Sequence, residues 1–328
     1  MKPWGFFITM MDVQQDRGGI VRVNPSFFRK LRTDVIKDWD LYVMLIPGII
    51  FLIIFKYTPM YGILIAFKDF NIFEGMSESP WVGLKHFERL FHSRDFAIVF
   101  RNTLVISVYK IVFLFPLPII MAILLNEMKN MVFKRGIQTV VYLPHFLSWV
   151  IVSGLFIDIL STNGGIVNRI IVSFGGEPIS FFMDKDWFRT VLVTSAGWKE
   201  TGWSMIVYLA AIASIDPQLY EAAKIDGAGR FRQIWHITLP GMIPIILLMF
   251  ILRLGNILEA GTEQILVMYN SIVYEVADVI GTYVYRMGLG QQDYSFSTAV
   301  GLFDSVVGFI LIIGGNYLAR KFLHRGIW

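Results

Sequence analysis

Six long apolar stretches constrain this chain more than any other feature of its sequence. A helix needs about 20 apolar residues to cross the roughly 30 Å hydrocarbon core of a bilayer. The stretches are rich in Leu, Ile, Val and Phe and lack the short alternating segments of barrel strands. They cover 41–67, 98–125, 140–160, 190–213, 242–258 and 298–318. The sequence therefore predicts an all-α integral membrane protein with six transmembrane helices.

The composition agrees with this class. Of the 328 residues, 55% are hydrophobic and 16% are charged, and the mean hydropathy of +0.59 lies outside the range of ordinary soluble domains. We divide the chain into an N-terminal segment, 1–40, and one transmembrane domain, 41–328. Cysteine is absent from the sequence, which excludes disulfides and thiolate metal sites. The formal charge of +4 is explained by membrane orientation and calls for no nucleic-acid partner.

The distribution of Lys and Arg predicts the orientation, because cytoplasmic loops carry the excess of positive charge. Residues 1–40, 126–137, 214–240 and 319–328 together hold sixteen of these residues, whereas the loops on the opposite side hold eight over greater lengths. Both termini and the 214–240 loop are therefore predicted to be cytoplasmic.

The 214–240 loop has the pattern of two helices joined by a glycine turn. Asp216 is a good N-cap residue and Pro217 suits the first helical position, so we predict a short helix over 218–226. Gly227 is the predicted left-handed stop, a second helix follows over 230–236, and Pro240 is predicted to break the chain before the next apolar stretch.

Seven positions of this loop also carry a family resemblance. They follow a fixed spacing and resemble the signature loop of the membrane subunits of bacterial binding-protein-dependent ABC importers. The positions are Glu221, Ala222, Ala223, Gly227, Ile237, Leu239 and Pro240. In that family the first short helix is the coupling helix, which lies in a groove of the cytoplasmic ATPase. The alternative is an ordinary amphipathic hairpin between two spans.

Segments elsewhere extend the resemblance to the importers of polysaccharide-derived oligosaccharides. They include Pro59–Phe70, Asn102–Ser107, Phe115–Glu127, Tyr142–Val150 and Arg325–Trp328. The resemblance implies the MetI-like permease fold, a location in the bacterial cytoplasmic (inner) membrane, a second homologous permease as heterodimer partner, two ATPase subunits and an extracytoplasmic solute-binding protein. Another solute, such as glycerol phosphate or a peptide, is the alternative cargo.

Motifs that would support other classes are missing from the sequence. It contains no G-x-x-x-x-G-K-[ST] phosphate loop, H-E-x-x-H pair or nucleophile elbow. We therefore predict a non-catalytic subunit without cofactors, and expect ATP and Mg²⁺ to be bound by the partner ATPases. The five histidines are scattered, so no metal site is predicted. A channel or an ATP-independent carrier is less favoured, because no span carries an arginine ladder and no loop resembles a selectivity filter.

The resemblance assigns contact with the ATPase to the first helix of the loop. We expect small and apolar side chains to form the docking surface and two carboxylates to make charge-assisted contacts at its ends. These residues are Leu219, Tyr220, Glu221, Ala222, Ala223, Asp226 and Gly227. For Ala222 and Ala223, simple helix propensity is the alternative explanation.

Polar residues within the spans are the candidates for a substrate pathway, because such groups are costly at bilayer depth. Lys110 and Arg253 lie roughly 18 Å and 16 Å into their spans at 1.5 Å per residue, and Asp304 lies in the sixth span. The candidates are Lys110, Trp149, Trp198, Lys199, Glu200, Trp203, Arg253, Asn256 and Glu259.

Two interpretations of these residues remain open. Lys110 and Arg253 either pair with carboxylates or cap broken helix ends near Pro116, Pro118 and Gly255, or they line a pathway that favours an acidic sugar. Such a sugar would be a uronate oligomer derived from alginate or pectin. The tryptophans either stack on sugar rings or anchor span ends at the membrane interface.

Overall fold

The structure is a computed structural model that describes residues 38–323, with side chains described through Lys321. The predicted cytoplasmic termini lie largely outside these residues. Within them the secondary structure is helical, and the one β feature is an isolated antiparallel bridge between Lys68 and Trp81. The all-α prediction is confirmed.

The chain divides into two compact units, of which the first is Met1–Leu64 with Trp328 and the second is Ile65–Ile327. In the first unit, helix α1 (Trp39–Leu52) continues through a π turn at Ile53–Tyr57 and the short helix Thr58–Met60. The helical segment that starts at Trp39 extends to Phe67, which matches the first predicted span.

The second unit contains the other main helices, which we number in chain order. They are α2 (Lys85–His92), α3 (Arg94–Leu114), α4 (Pro116–Asn126), α5 (Met131–Tyr142), α6 (Trp149–Leu160), α7 (Ile166–Ser173), α8 (Lys185–Ala213), α9 (Pro217–Ile225), α10 (Arg230–Gly255), α11 (Thr262–Met268), α12 (Ile280–Tyr285) and α13 (Tyr294–Leu323). Short 3₁₀ and π turns extend several of these helices.

Four of the described helical segments are long and apolar enough to span a membrane. They are Trp39–Phe67, Arg94–Asn126, Arg230–Gly255 and Tyr294–Lys321, and they match the first, second, fifth and sixth predicted spans. The third predicted span is broken, because Met131–Phe146 and Trp149–Leu160 meet at an angle of 106°. The apolar stretch predicted over 140–160 therefore contains a sharp bend, which its hydropathy did not indicate.

Helix α8 contains the fourth predicted span and is the centre of the second unit. It packs against α3, α4, α5 and α10. Its side chains belong to two of the three apolar clusters that form the core of the described residues. A helix surrounded in this way exposes little of its surface to lipid, which allows Lys199, Glu200 and several small polar residues to occur in its middle.

Pro240 does not break the chain as we predicted. Helix α10 runs through it, because a π turn at Ile234–Thr238 precedes the proline. The N–H of Leu239 donates to the carbonyl of Ile234, five residues back, and Pro240 follows at a position where its missing N–H does not interrupt the helix. The second half of the 214–240 loop is therefore continuous with the fifth predicted span.

Close packing of α8 on α5 supplies a test of this arrangement. A methyl group on Gly202 would overlap the carbonyl oxygen of Val141, so Gly202→Ala should lower the free energy of unfolding by about 1–3 kcal/mol. The measurement is the thermal unfolding midpoint of the purified protein in detergent. Gly154→Ala in α6 is the matched control, because no atom lies within 4 Å of the added methyl group. Equal midpoints for both variants would contradict the packing.

Candidate functional site

The 214–240 loop folds as the sequence predicts, into a short capped helix followed by a glycine turn. The Asp216 side chain accepts a hydrogen bond from the N–H of Gln218 at the start of α9. At its end, Gly227 has a φ of +72°, and the N–H of Ala228 donates to the carbonyl of Ala223 over 2.8 Å. The N–H of Gly227 donates to the carbonyl of Lys224 over 3.1 Å, which completes a Schellman motif.

One face of α9 carries an exposed apolar stripe. Leu219 is 52% exposed and Ile225 is 86% exposed, and Ala222 lies between them at helical spacing. Glu221 and Asp226 are also exposed. Our sequence reasoning missed Ile225, although its position three residues after Ala222 and six after Leu219 is the signal that could have identified it.

Tyr220 is turned the other way. Its hydroxyl lies 3.0 Å from Oγ1 of Thr238, which is buried in α10. The Gln233 amide donates to the carbonyl of Ala228 over 2.8 Å, so the turn after α9 is also tied to α10. Side-chain hydrogen bonds, including that of Tyr220, thus attach α9 to the first turns of α10.

Five of the nine predicted pathway residues line two neighbouring cavities of the second unit. Two adjoining cavities of about 90 Å³ and 80 Å³ share the side chains of Glu200 and Arg253. The second cavity is also lined by Lys110, Asn256 and Glu259. These side chains come from α3, α8, α10 and the 3₁₀ turn at Ile257–Glu259, so only the tertiary structure brings them together.

Lys110 is buried and makes no ion pair with a described carboxylate. Its Nζ donates to the carbonyl of Ala260 over 3.0 Å and to Oε1 of Gln264 over 2.6 Å. The Gln264 amide in turn donates to Oγ of Ser195 over 2.8 Å. Our sequence reasoning missed Gln264, because a single glutamine in an apolar run carries no motif. Lys110 therefore stabilises the turn between α10 and α11.

Arg253 differs from Lys110. It lines both cavities, and its guanidinium makes no ion pair or side-chain hydrogen bond with another residue in the described part of the chain. Of Lys110 and Arg253, Arg253 is therefore the one whose donors are free for a ligand among the described residues.

Lys199 closes the break between α5 and α6. Its Nζ donates to the carbonyls of His145 and Leu147 over 2.8 Å and 2.7 Å, and it lies 5.4 Å from the ring centroid of Trp149. An ammonium group at the end of a broken helix donates hydrogen bonds to carbonyls that lipid cannot satisfy. Its positive charge also interacts favourably with the negative C-terminal end of the helix dipole. Lys199 thus has the capping role that we considered for Lys110 and Arg253.

The three predicted tryptophans lie outside the two cavities. Trp149 is buried, and Trp203 stacks on His145 with ring centroids 4.5 Å apart. Trp198 is half exposed and makes an edge contact with Phe156. The three tryptophans therefore pack around the break between α5 and α6.

One ion pair and several hydrogen bonds link the elements around α12 in the second unit. Arg286 donates to the Asp278 carboxylate over 2.6 Å, which raises the pKa of the guanidinium. Arg189 donates to Asn102 over 3.0 Å, and the Asn102 amide donates to the carbonyl of Glu275 over 2.9 Å. Together these bonds tie α3 and α8 to the segment before α12.

Comparison with known proteins identifies the family. Residues 115–324 match the family described as the binding-protein-dependent transport system inner membrane component. The chain belongs to this family and is a multi-pass inner-membrane permease subunit of an ABC transporter.

Two curated relatives and one solved structure cover most of the chain. It is 48% identical over 300 residues to the polygalacturonan/rhamnogalacturonan transport system permease protein YteP of Bacillus subtilis (strain 168), covering 92% of this chain and 94% of that protein. It is 50% identical over 292 residues to protein LplB of the same organism, covering 89% and 92%.

The solved structure is a crystal structure of a bacterial alginate ABC transporter in complex with an alginate pentasaccharide-bound periplasmic protein. One of its chains is 42% identical to this protein with a TM-score of 0.83, covering 91% of this chain and 100% of that chain. The MetI-like permease fold that the resemblance implied is therefore confirmed.

The role of Lys199 can be tested by removing its charge. Lys199→Met should lower the free energy of unfolding by about 1–3 kcal/mol, because two carbonyls at the 106° break lose their donor. The measurement is the thermal unfolding midpoint in detergent. The matched control is Lys185→Met, which breaks an exposed ion pair with Glu275 and should leave the midpoint close to that of the wild type, because exposed ion pairs contribute little to stability. A larger effect at Lys185 would contradict this role.

Proposed function

We propose that this chain is one of two permease subunits of an ATP-driven importer for acidic oligosaccharides, with six spans and both termini in the cytoplasm. The observation that carries the ATP-driven part is α9, an exposed and capped helix in a short loop between two spans. In this proposal the broken segment Met131–Leu160 and the polar helix α8 supply the third and fourth spans. The relatives' names and the cavity chemistry support the cargo.

Coupling to ATP hydrolysis follows from the surface and attachment of α9. The stripe of Leu219, Ala222 and Ile225 is an apolar ridge of the kind that docks in a groove, and Glu221 and Asp226 flank it. The Tyr220–Thr238 hydrogen bond would carry displacement of the ridge into α10. Because the sequence has no phosphate loop, ATP and Mg²⁺ would be bound by two separate ATPase subunits.

The descriptions of two similar proteins support an acidic cargo. Polygalacturonan and alginate are polymers of uronic acids, and they appear in the name of a 48% identical relative and in the description of a 42% identical solved structure. In this chain, Arg253 has guanidinium donors free for a carboxylate, and guanidinium matches carboxylate geometry. We therefore assign Arg253 to recognition of the acidic sugar and Lys110 to maintenance of the fold.

The cavity size supports a second permease subunit. Cavities of about 90 Å³ and 80 Å³ are smaller than the roughly 300–1,000 Å³ of typical ligand sites. A sugar would fit after the cavity opens against the second permease, with a solute-binding protein delivering it from outside. The residues that line the cavity would then face the interface between the two permeases.

The coupling assignment predicts the effect of changes in α9. Ile225→Asp should abolish sugar-stimulated ATPase activity and uptake in the assembled transporter, because a charge replaces the most exposed apolar contact of the stripe. Gly227→Pro should do the same, since proline cannot adopt a φ of +72°. Ile166→Asp, at an exposed isoleucine at the start of α7, is the matched control. Normal stimulated activity in both loop variants would contradict coupling through α9.

The substrate assignment predicts a difference between the two cations. Arg253→Met should reduce uptake of uronate oligomers by at least about tenfold, the cost of one lost charge-assisted contact, with less effect on neutral oligomers of equal length. Lys110→Met should reduce uptake of both, because it disturbs the turn at Ala260. Arg253→Lys should retain part of the selectivity. Equal losses for both sugars in Arg253→Met would contradict the assignment.

A further inference from the structure

The loop between the first two predicted spans presents an exposed apolar tip. The proposed substrate pathway does not involve this tip and does not explain its exposure. The loop covers 68–82 and is closed by the Lys68–Trp81 bridge. At its tip the Phe73 side chain is 96% exposed and Ile72 is 60% exposed. Exposed apolar groups side by side on an ordered loop mark interaction surfaces more often than chance exposure does.

Internal hydrogen bonds fix the shape of this loop. The Asn71 side chain accepts from the N–H of Phe73 over 3.0 Å, and the N–H of Asn71 donates to the buried Ser79 hydroxyl over 3.1 Å. The Lys68 ammonium donates across the loop to the carbonyl of Met76 over 2.6 Å. Phe73 is therefore held in place before any partner arrives, which lowers the entropic cost of docking.

The base of the loop is attached to the sixth span. The N–H of Phe70 donates to the hydroxyl of Ser295 over 2.8 Å, and the Phe70 ring meets Tyr294 edge-on at 6.1 Å. A cavity of about 420 Å³ lies beside the tip, between the loop and the residues Gln292 and Tyr294. The loop thus offers a protruding side chain and an adjacent recess, both connected to α13.

The charges of the loop distinguish a protein partner from a lipid surface. The loop carries Asp69, Glu74 and Glu78 against one lysine, and a second lysine, Lys85, is already paired with Asp69 over 2.9 Å. Segments that bind membrane surfaces combine apolar side chains with an excess of Lys and Arg. An apolar tip with an acidic surround instead matches a protein with an apolar hollow bordered by basic side chains.

We propose that Phe73 and the 68–82 loop dock the extracytoplasmic solute-binding protein, with Phe73 entering an apolar hollow of that protein and Glu74 facing its basic border. This inference rests on the proposed function, which requires such a protein to deliver the sugar. The inference adds the surface on which the solute-binding protein docks. The hydrogen bond between Phe70 and Ser295 links that surface to α13.

The test uses the assembled transporter in lipid nanodiscs and the solute-binding protein whose addition stimulates the wild-type ATPase. Phe73→Ser should raise the concentration of binding protein that gives half-maximal stimulation by at least about tenfold, as expected for a central contact, with the maximal rate unchanged. Glu74→Lys should also raise the half-maximal concentration of binding protein. Added salt should reduce the difference between this variant and the wild type, because it screens the interaction between charges. The matched control is Phe174→Ser, an 88% exposed phenylalanine just after α7, which should behave as wild type.

Three outcomes would overturn the docking surface. They are an unchanged half-maximal concentration in Phe73→Ser, an equal shift in Phe174→Ser, and an effect on membrane insertion alone, which would indicate a lipid contact. Failure of the proposed function is distinguishable from these, because the wild-type ATPase would then not respond to any solute-binding protein.

Discussion

The absence of water in the bilayer core is the constraint on which the rest of the structure depends, because each free backbone carbonyl there needs a partner from the protein. Two buried lysines supply such partners where helices break. Lys199 donates to the carbonyls of His145 and Leu147, and Lys110 donates to the carbonyl of Ala260. The break between α5 and α6 and the turn after α10 are therefore stable features of the fold.

These breaks determine which polar residues are free. Lys110 and Lys199 are occupied by backbone groups, whereas Arg253 faces the cavities with its donors available. The same helix, α10, carries Arg253 near one end and Thr238 nearer the other, where the hydroxyl of Tyr220 from the 214–240 loop lies within hydrogen-bond distance of it. One continuous helix thus connects the surface proposed to meet an ATPase with the side chain proposed to meet the substrate.

The sequence predicted the local structure of the loop well, because capping depends on neighbouring residues. Asp216 and Gly227 occupy the ends of α9 as expected. It was wrong about Pro240, since a π turn just before the proline removes the expected interruption. Of the nine pathway candidates, five line the cavities, while Lys199 and the three tryptophans pack around the broken span. Those assignments depend on contacts between distant segments, which periodicity does not encode.

The sequence by itself determined the class, the helical fold, most of the spans and the family, because hydropathy and a fixed local motif are properties of contiguous residues. Only the tertiary structure decided the roles of three cations within the predicted spans. Lys110, Lys199 and Arg253 are alike as sequence features, because each is a basic residue inside a long apolar stretch. Their partners lie some 50 to 150 residues away or are absent among the described residues, and in a medium without water the available partner decides whether a charge supports the fold or remains free for a ligand.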